Sequence, residues 1–328
     1  MRSAEMIELW RGDMRESLHA GHAVICDAHG VVEAWGRPGQ VIYPRSSCKM
    51  IQALPLMESG AADAAGLTDR QLALACASHS GAAMHVAAVD GWLTGLGLGE
   101  SDLRCGSHMP RDAEENRRLT CSDTAPCQLH NNCSGKHAGF LTLNRHLKGG
   151  PDYVEPDHPV QRAVKAAFEE VTDEESPGFG IDGCSAPNWA CTVEGLARAM
   201  ARFANPGTDR RGQAMRRLVD AMRSHPEMVA GEGRSCTELM RAMGGVAAIK
   251  TGAEAVFVAI LPDQGLGVAL KITDGGTRAS EAAITALLIH LGVLDAAHPA
   301  AQALLDGPIL NCRGMVTGNL RRAPGFPA

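Results

Sequence analysis

A chain of 328 residues with 45% hydrophobic and 21% charged residues is long enough to bury a large core and has the balance of an ordinary soluble globular protein. A net charge of -6, no lysine/arginine block and only 4% aromatic residues argue against a nucleic-acid partner held by charge or stacking. The first residues lack a secretory apolar run, no stretch of about 18 apolar residues could span a bilayer, and eleven scattered cysteines suggest reduced thiols in the cytoplasm rather than a disulfide framework.

The first 45 residues read as β. Ala23-Val24-Ile25-Cys26 and Val31-Val32-Glu33-Ala34-Trp35 flank Asp27-Ala28-His29-Gly30, a short connection ending in glycine that predicts a hairpin. Pro44 interrupts the chain, and Ser46 is placed to cap a helix running to about Glu58, with Met50, Ala53, Leu54 and Met57 at helical spacing. A helical middle follows, with amphipathic segments over 69–77, 83–96, 135–147, 160–171, 192–203 and 212–224 and long loops over 105–132 and 176–187. A loop as long as the first is more often functional than idle. The end returns to β over 246–250, 255–261 and 267–272, then to a helix over 279–291.

Neither strand cluster is large enough to make a stable sheet alone. The order therefore predicts an α/β fold in which one antiparallel sheet, built from residues 1–60 and 245–328, is flanked by helices. Residues 61–244 form a mostly helical subdomain, the whole being one structural unit.

Three short strings carry nucleophile chemistry. In Ser46-Ser47-Cys48-Lys49 a helix opening at Ser46 puts Lys49 one turn on, on the same face. A neutral amine there can take the hydroxyl proton, and burial or a second cation pushes a lysine toward neutrality. Ser78-His79-Ser80-Gly81 follows a predicted helix, and Lys250-Thr251-Gly252 ends a predicted strand. In that order, on those elements, the strings match the three motifs of penicillin-recognising serine enzymes. Ser80 stands where those enzymes usually carry asparagine, its loop comes early, and no acidic residue matches a deacylating glutamate. Those departures weigh against a lactamase proper.

A fourth group is Cys133, Lys136 and His137 at one helical N-terminus, with Cys184 in a glycine-bounded loop. Two thiolates and a nitrogen donor would suit zinc, although no C-x-x-C spacing advertises a site and buried free thiols are the alternative.

Longer strings carry a resemblance. Arg45-Ser46-Ser47-Cys48-Lys49, Cys76-Ala77-Ser78-His79-Ser80-Gly81, His130-Asn131-Asn132-Cys133-Ser134-Gly135-Lys136-His137, Gly180-Ile181-Asp182-Gly183-Cys184, His225-Pro226-Glu227-Met228-Val229-Ala230-Gly231, Lys250-Thr251-Gly252-Ala253-Glu254 and Asn311-Cys312-Arg313-Gly314 resemble the bacterial asparaginase II family of the rhizobial, thermolabile and inducible type. The resemblance spans nearly the whole chain. It implies a fold like that of serine β-lactamases and penicillin-binding proteins, hydrolysis of L-asparagine to aspartate and ammonia, and a homodimer.

It also implies two serine–lysine pairs, Ser46 with Lys49 and Ser78 with Lys250, and a zinc site at Cys133, Lys136 and Cys184. The zinc would organise the pocket, since the serine–lysine chemistry needs no cofactor. Ser46 is the expected acylated nucleophile, with Ser78 its rival. Backbone N–H groups of Ser46 and Ala253 are candidates for the oxyanion hole, by analogy with lactamases. Thr251 and Gly252 are expected at the substrate, Arg45 at its carboxylate and Asp182 at its ammonium, a structural salt bridge being the alternative role for each of the last two. Two other readings stand beside this one: another lactamase-like serine hydrolase of amides, esters or penicillins, and a non-catalytic zinc or thiol sensor.

Overall fold

The computed structural model describes residues 2–327. Eight strands form one antiparallel sheet: β1 (Ala4–Arg11), β2 (Met14–Cys26), β3 (Val31–Trp35), β4 (Ala248–Gly252), β5 (Val256–Leu261), β6 (Leu266–Ile272), β7 (Pro308–Leu310) and β8 (Val316–Arg322). Their order is β7-β8-β1-β2-β6-β5-β4, with β3 also on β2. The long β2 makes this interleaving work. Its first part pairs with β1, while Gly21 to Cys26 pair with Ile272 to Gly267 of β6 and Ala23 to Cys26 pair with β3. The α/β architecture expected from the sequence, a sheet drawn from both ends of the chain with flanking helices and a helical part, is the one observed.

Contacts divide the chain into a sheet unit, Met1–Ser47, Cys191–Asn205 and Glu238–Ala328, and a helical unit, Cys48–Ala190 and Pro206–Thr237. In the sheet unit, β5 is buried at every position. Its unbroken apolar run is what a strand covered on both faces requires. The helices Val193–Ala204 and Thr277–His290 supply that cover. Thr192 caps the first by accepting from the Gly195 N–H at 2.9 Å. That helix rides directly on Gly267 of β6, where an added Cβ would lie 2.0 Å from Ala201 N.

In the helical unit, the helix Ser134–Leu147 is buried continuously from Ser134 to Asn144. It packs against Asp69–Ala75, Ala83–Gly95 and Pro159–Thr172. A Cβ on Gly135 would stand 2.5 Å from Leu74 O, so glycine there sets the close approach to the Asp69–Ala75 helix. A hairpin of Phe179–Ile181 and Pro187–Trp189 in the same unit carries the loop with Asp182 and Cys184. Among the described residues no helix is long and apolar enough to cross a membrane.

Two expectations need correction. The single helix from Ser46 to Glu58 is three pieces: a 3-10 turn Arg45–Cys48, then helices Lys49–Gln52 and Leu54–Glu58. Pro55 accounts for the break before the last piece, since it has no N–H to give and its ring clashes with the preceding turn. The 105–132 loop contains the helix Ala113–Cys121, capped by Asp112 through the Glu115 N–H at 2.9 Å. The N-terminal residues, expected as β, form β1, which pairs with β8.

Candidate active site

Lys49 is the first residue after the 3-10 turn and is almost fully buried. A buried lysine nitrogen must find hydrogen-bond partners, and this one bonds to Ala77 O, to Ser78 Oγ at 3.1 Å and to Cys133 Sγ at 3.1 Å. Those three come from two distant strings of the sequence, and packing of the helical unit brings them to one amine. Cys48 beside it is equally buried, and burial pushes its thiol up to about 12. It is inert as a nucleophile at neutral pH.

The Ser78 loop is fixed on both sides. Ser78 N donates to Val229 O at 2.9 Å and His79 N to Asn132 O at 3.2 Å. The Gly81 N–H donates to His79 Nδ1 at 3.1 Å, which leaves Nε2 to donate to Ser134 Oγ at 3.0 Å, and that hydroxyl passes on to Leu129 O. Burial, then the neighbouring His85 stacked at 4.8 Å, holds His79 well below the ordinary histidine range. His79 is thus a neutral strut that fixes the Ser78 loop, a role that no local sequence signal announces.

Beside Lys49 lies the thiol group. Lys136 Nζ donates to Cys184 Sγ at 3.1 Å, and Cys133, Lys136 and Cys184 are all buried. The Cys133 thiol hydrogen-bonding to Cys184 is the largest influence. It outweighs burial and, with Lys136 and His137, holds Cys184 well below the usual thiol range. Cys133 is raised in turn. Burial opposes charge on Lys136, but the two sulfurs and Asp182 overcome it and raise its ammonium. The surroundings thus favour negative charge on Cys184 and positive charge on Lys136, which faces it at 3.1 Å.

Among the described residues no three His, Cys, Asp or Glu side chains gather as metal ligands, so any site here uses the amine. Two sulfurs and a nitrogen suit a borderline-soft cation such as zinc. The buried His137 Nε2, which lacks a hydrogen-bond partner among the described residues, feels the charge of Cys184. The donor set fits zinc once Lys136 has given up its proton to bind as a neutral amine. Asp182 turns back on its own loop, its Oδ1 accepting the Gly183 N–H at 2.7 Å.

In the sheet unit, Ser46 is half-buried in the 3-10 turn. Arg45 enters that turn with φ +54°, a left-handed conformation that costs a non-glycine residue energy and clusters at functional sites. Ser47 closes the turn, its N–H and Oγ–H both donating to Pro44 O at 3.2 and 2.7 Å. Against this turn lies Gly252 of β4, where a Cβ would stand 2.6 Å from Pro44 O and 3.1 Å from Ser47 N. The glycine of Lys250-Thr251-Gly252 is therefore what lets the strand end reach the serine turn. Lys250 is fully buried and donates to Thr251 O at 2.8 Å, Thr251 is half-buried and Ala253 exposed.

A family model described as L-asparaginase II matches residues 7–322. No curated protein matches the chain. Among solved structures, the chain is similar to a β-lactamase from Mycobacterium bovis, at 12% identity over 84% of this chain and 95% of that one, TM-score 0.47. It is similar also to a protein named Mglu, in its native form at 14% identity over 85% and 66% of the two chains, TM-score 0.45. The glutamate form of Mglu gives 14% identity over 84% and 61%, again with TM-score 0.45.

Proposed function

The chain belongs to the L-asparaginase II family, a family of asparaginase-type amidohydrolases, and from that premise we propose that it hydrolyses L-asparagine to L-aspartate and ammonia through a serine acyl-enzyme activated by lysine. The observation that carries the mechanism is the buried hydrogen bond from Lys49 to Ser78, because a lysine at a serine hydroxyl, shielded from water, is a proton-transfer couple.

Ser46 precedes Lys49 by three residues across consecutive 3-10 and α turns. The Ser46 hydroxyl gives its proton to the Lys49 amine and its Oγ attacks the side-chain carboxamide carbon. Backbone N–H groups of Ser46 and Ala253 receive the developing oxyanion. Lys49 passes the proton by way of Ser78 to the departing nitrogen, the C–N bond breaks and ammonia leaves. Water then cleaves the acyl-enzyme, releasing aspartate and restoring Ser46. Lys250 assists Ser78 in this relay, Thr251 and Gly252 border the substrate, Arg45 takes its carboxylate and Asp182 its ammonium.

Cys133, Lys136 and Cys184 would hold a zinc ion, which when bound supplies a fixed positive charge that orders the pocket. Eleven free thiols support a reducing, cytoplasmic setting. A homodimer is the expected assembly, and light scattering that finds only monomer at micromolar concentration refutes it.

The test is ammonia release from L-asparagine by wild type, Ser46→Ala and Ser78→Ala, with mass spectrometry of the quenched enzyme. Activity in wild type, its loss in both variants and an aspartyl adduct on Ser46 support the proposal. An adduct on Ser78 reverses the serine roles. No ammonia with or without added zinc removes the asparaginase reading and turns attention to other amides and esters.

A further inference from the structure

We propose that Cys127 is a thiol-exchange site for low-molecular-weight disulfides, with His130 as its base and Glu115 as the residue that positions the base. The three side chains lie in the helical unit, and the mechanism above uses none of them. Cys127 precedes the 3-10 turn Gln128–His130, which folds His130 back so that its Nδ1 lies 3.3 Å from Cys127 Sγ. The same Nδ1 accepts the Cys127 backbone N–H at 3.1 Å. A ring nitrogen that accepts an N–H carries a lone pair, so the proton of this imidazole sits on Nε2. Nε2 in turn donates to Glu115 Oε1 at 3.2 Å.

Glu115 is itself locked by Arg118, whose Nε and Nη2 donate to its two oxygens at 2.9 and 2.6 Å. The Arg118 guanidinium outweighs burial and keeps this carboxyl below the ordinary range, so it stays an anion able to hold the tautomer. His130 and Glu115 are buried, while Cys127 is half-buried and open to a small reagent. A nucleophile, a base whose lone pair faces it and a buried carboxylate that orients the base are the parts an activated thiol needs.

The exchange balances without an added oxidant. The Cys127 S–H proton moves to His130 Nδ1, and the thiolate attacks one sulfur of the incoming disulfide. A new S–S bond forms as the old one breaks, and the departing thiolate takes the proton from Nδ1. One disulfide is consumed, one mixed disulfide is made and one thiol is released.

The chain contains its own controls. Cys121 and Cys312 are exposed, and neither makes a side-chain hydrogen bond among the described residues. The purified full-length protein is incubated with excess oxidised glutathione, and mixed-disulfide formation at each cysteine is followed by peptide mass spectrometry between pH 5.5 and 8.5. At pH 6 to 7 Cys127 is expected to react about 10- to 100-fold faster than Cys121 or Cys312 despite its lower exposure, because only it has a base at hand. Its rate should rise less steeply with pH than theirs. His130→Ala should bring it down to the level of the exposed cysteines, and Glu115→Gln to an intermediate value. Equal or slower reaction of Cys127 in wild type overturns the proposal, as does an unchanged rate in both variants when circular dichroism shows them folded. Should neither variant fold, the wild-type rate ratio and its pH profile decide alone.

Discussion

Lys136 and Cys184 are a buried charge pair, and removing one partner of such a pair leaves the other unmatched in a low dielectric. With zinc chelated, Lys136→Met and Cys184→Ser should each destabilise by about 3–5 kcal/mol, and the double variant by less than the sum, because no orphaned charge remains. Denaturant midpoints of the four proteins check this, and strict additivity refutes the pairing. Gly252 gives a second prediction. Alanine there has no strain in φ to overcome, but its Cβ would press on Pro44 O and Ser47 N and shift the turn that carries Ser46. A shift of the order of 1 Å at the proposed nucleophile costs about 100-fold in rate, so Gly252→Ala should lower kcat for ammonia release by roughly that factor with KM less affected. An unchanged kcat would mean that the turn does not need this contact.

The helices Val193–Ala204 and Arg210–Ser224 follow the amphipathic periods of the sequence to within a few residues, because each buries one stripe and exposes the other. The pieces that escaped were those whose order comes from elsewhere. The segment after Ser46 has helical spacing, but Pro55 breaks it. The hairpin of β7 and β8 leaves Leu310 and Val316 exposed and owes its order to pairing with β1, which no local pattern reveals. The same holds for the site. Its serines, lysines and cysteines stand in readable strings, whereas the bonds from Lys49 to Ser78 and Cys133 depend on packing between distant segments. The seat of Val193–Ala204 on β6 is equally invisible from sequence and gives a prediction for this element. Gly267→Ala would drive a Cβ to 2.0 Å from Ala201 N, with backbone on both sides and no side chain free to yield. Destabilisation of about 3 kcal/mol or more is expected, read as a lower urea midpoint. A loss under about 0.5 kcal/mol, the range of neutral surface changes, would show that the helix can lift.

Across the whole molecule, buried histidines set how stability responds to acid. His22, His79 and His85 are each held below the ordinary histidine range, in every case chiefly by burial. The unfolded chain protonates these rings near pH 6.5, while the native state takes those protons only at lower pH. Below about pH 6.5 the unfolded state therefore binds more protons, so stability rises with pH there and is lost on acidification. The melting temperature should fall measurably between pH 7.5 and 5.5, and a flat profile would refute neutral histidines in the core. The interleaved strand order also has a consequence for the making of the protein. β2 emerges early from the ribosome, but its neighbour β6 ends only at Ile272. Until then the nascent hairpin carries an unsatisfied edge, the feature by which strands recruit wrong partners. Its yield in a cell should therefore depend on whatever shields that edge during translation, and slowing the ribosome before Ile272 should cost more folded protein than slowing it afterwards.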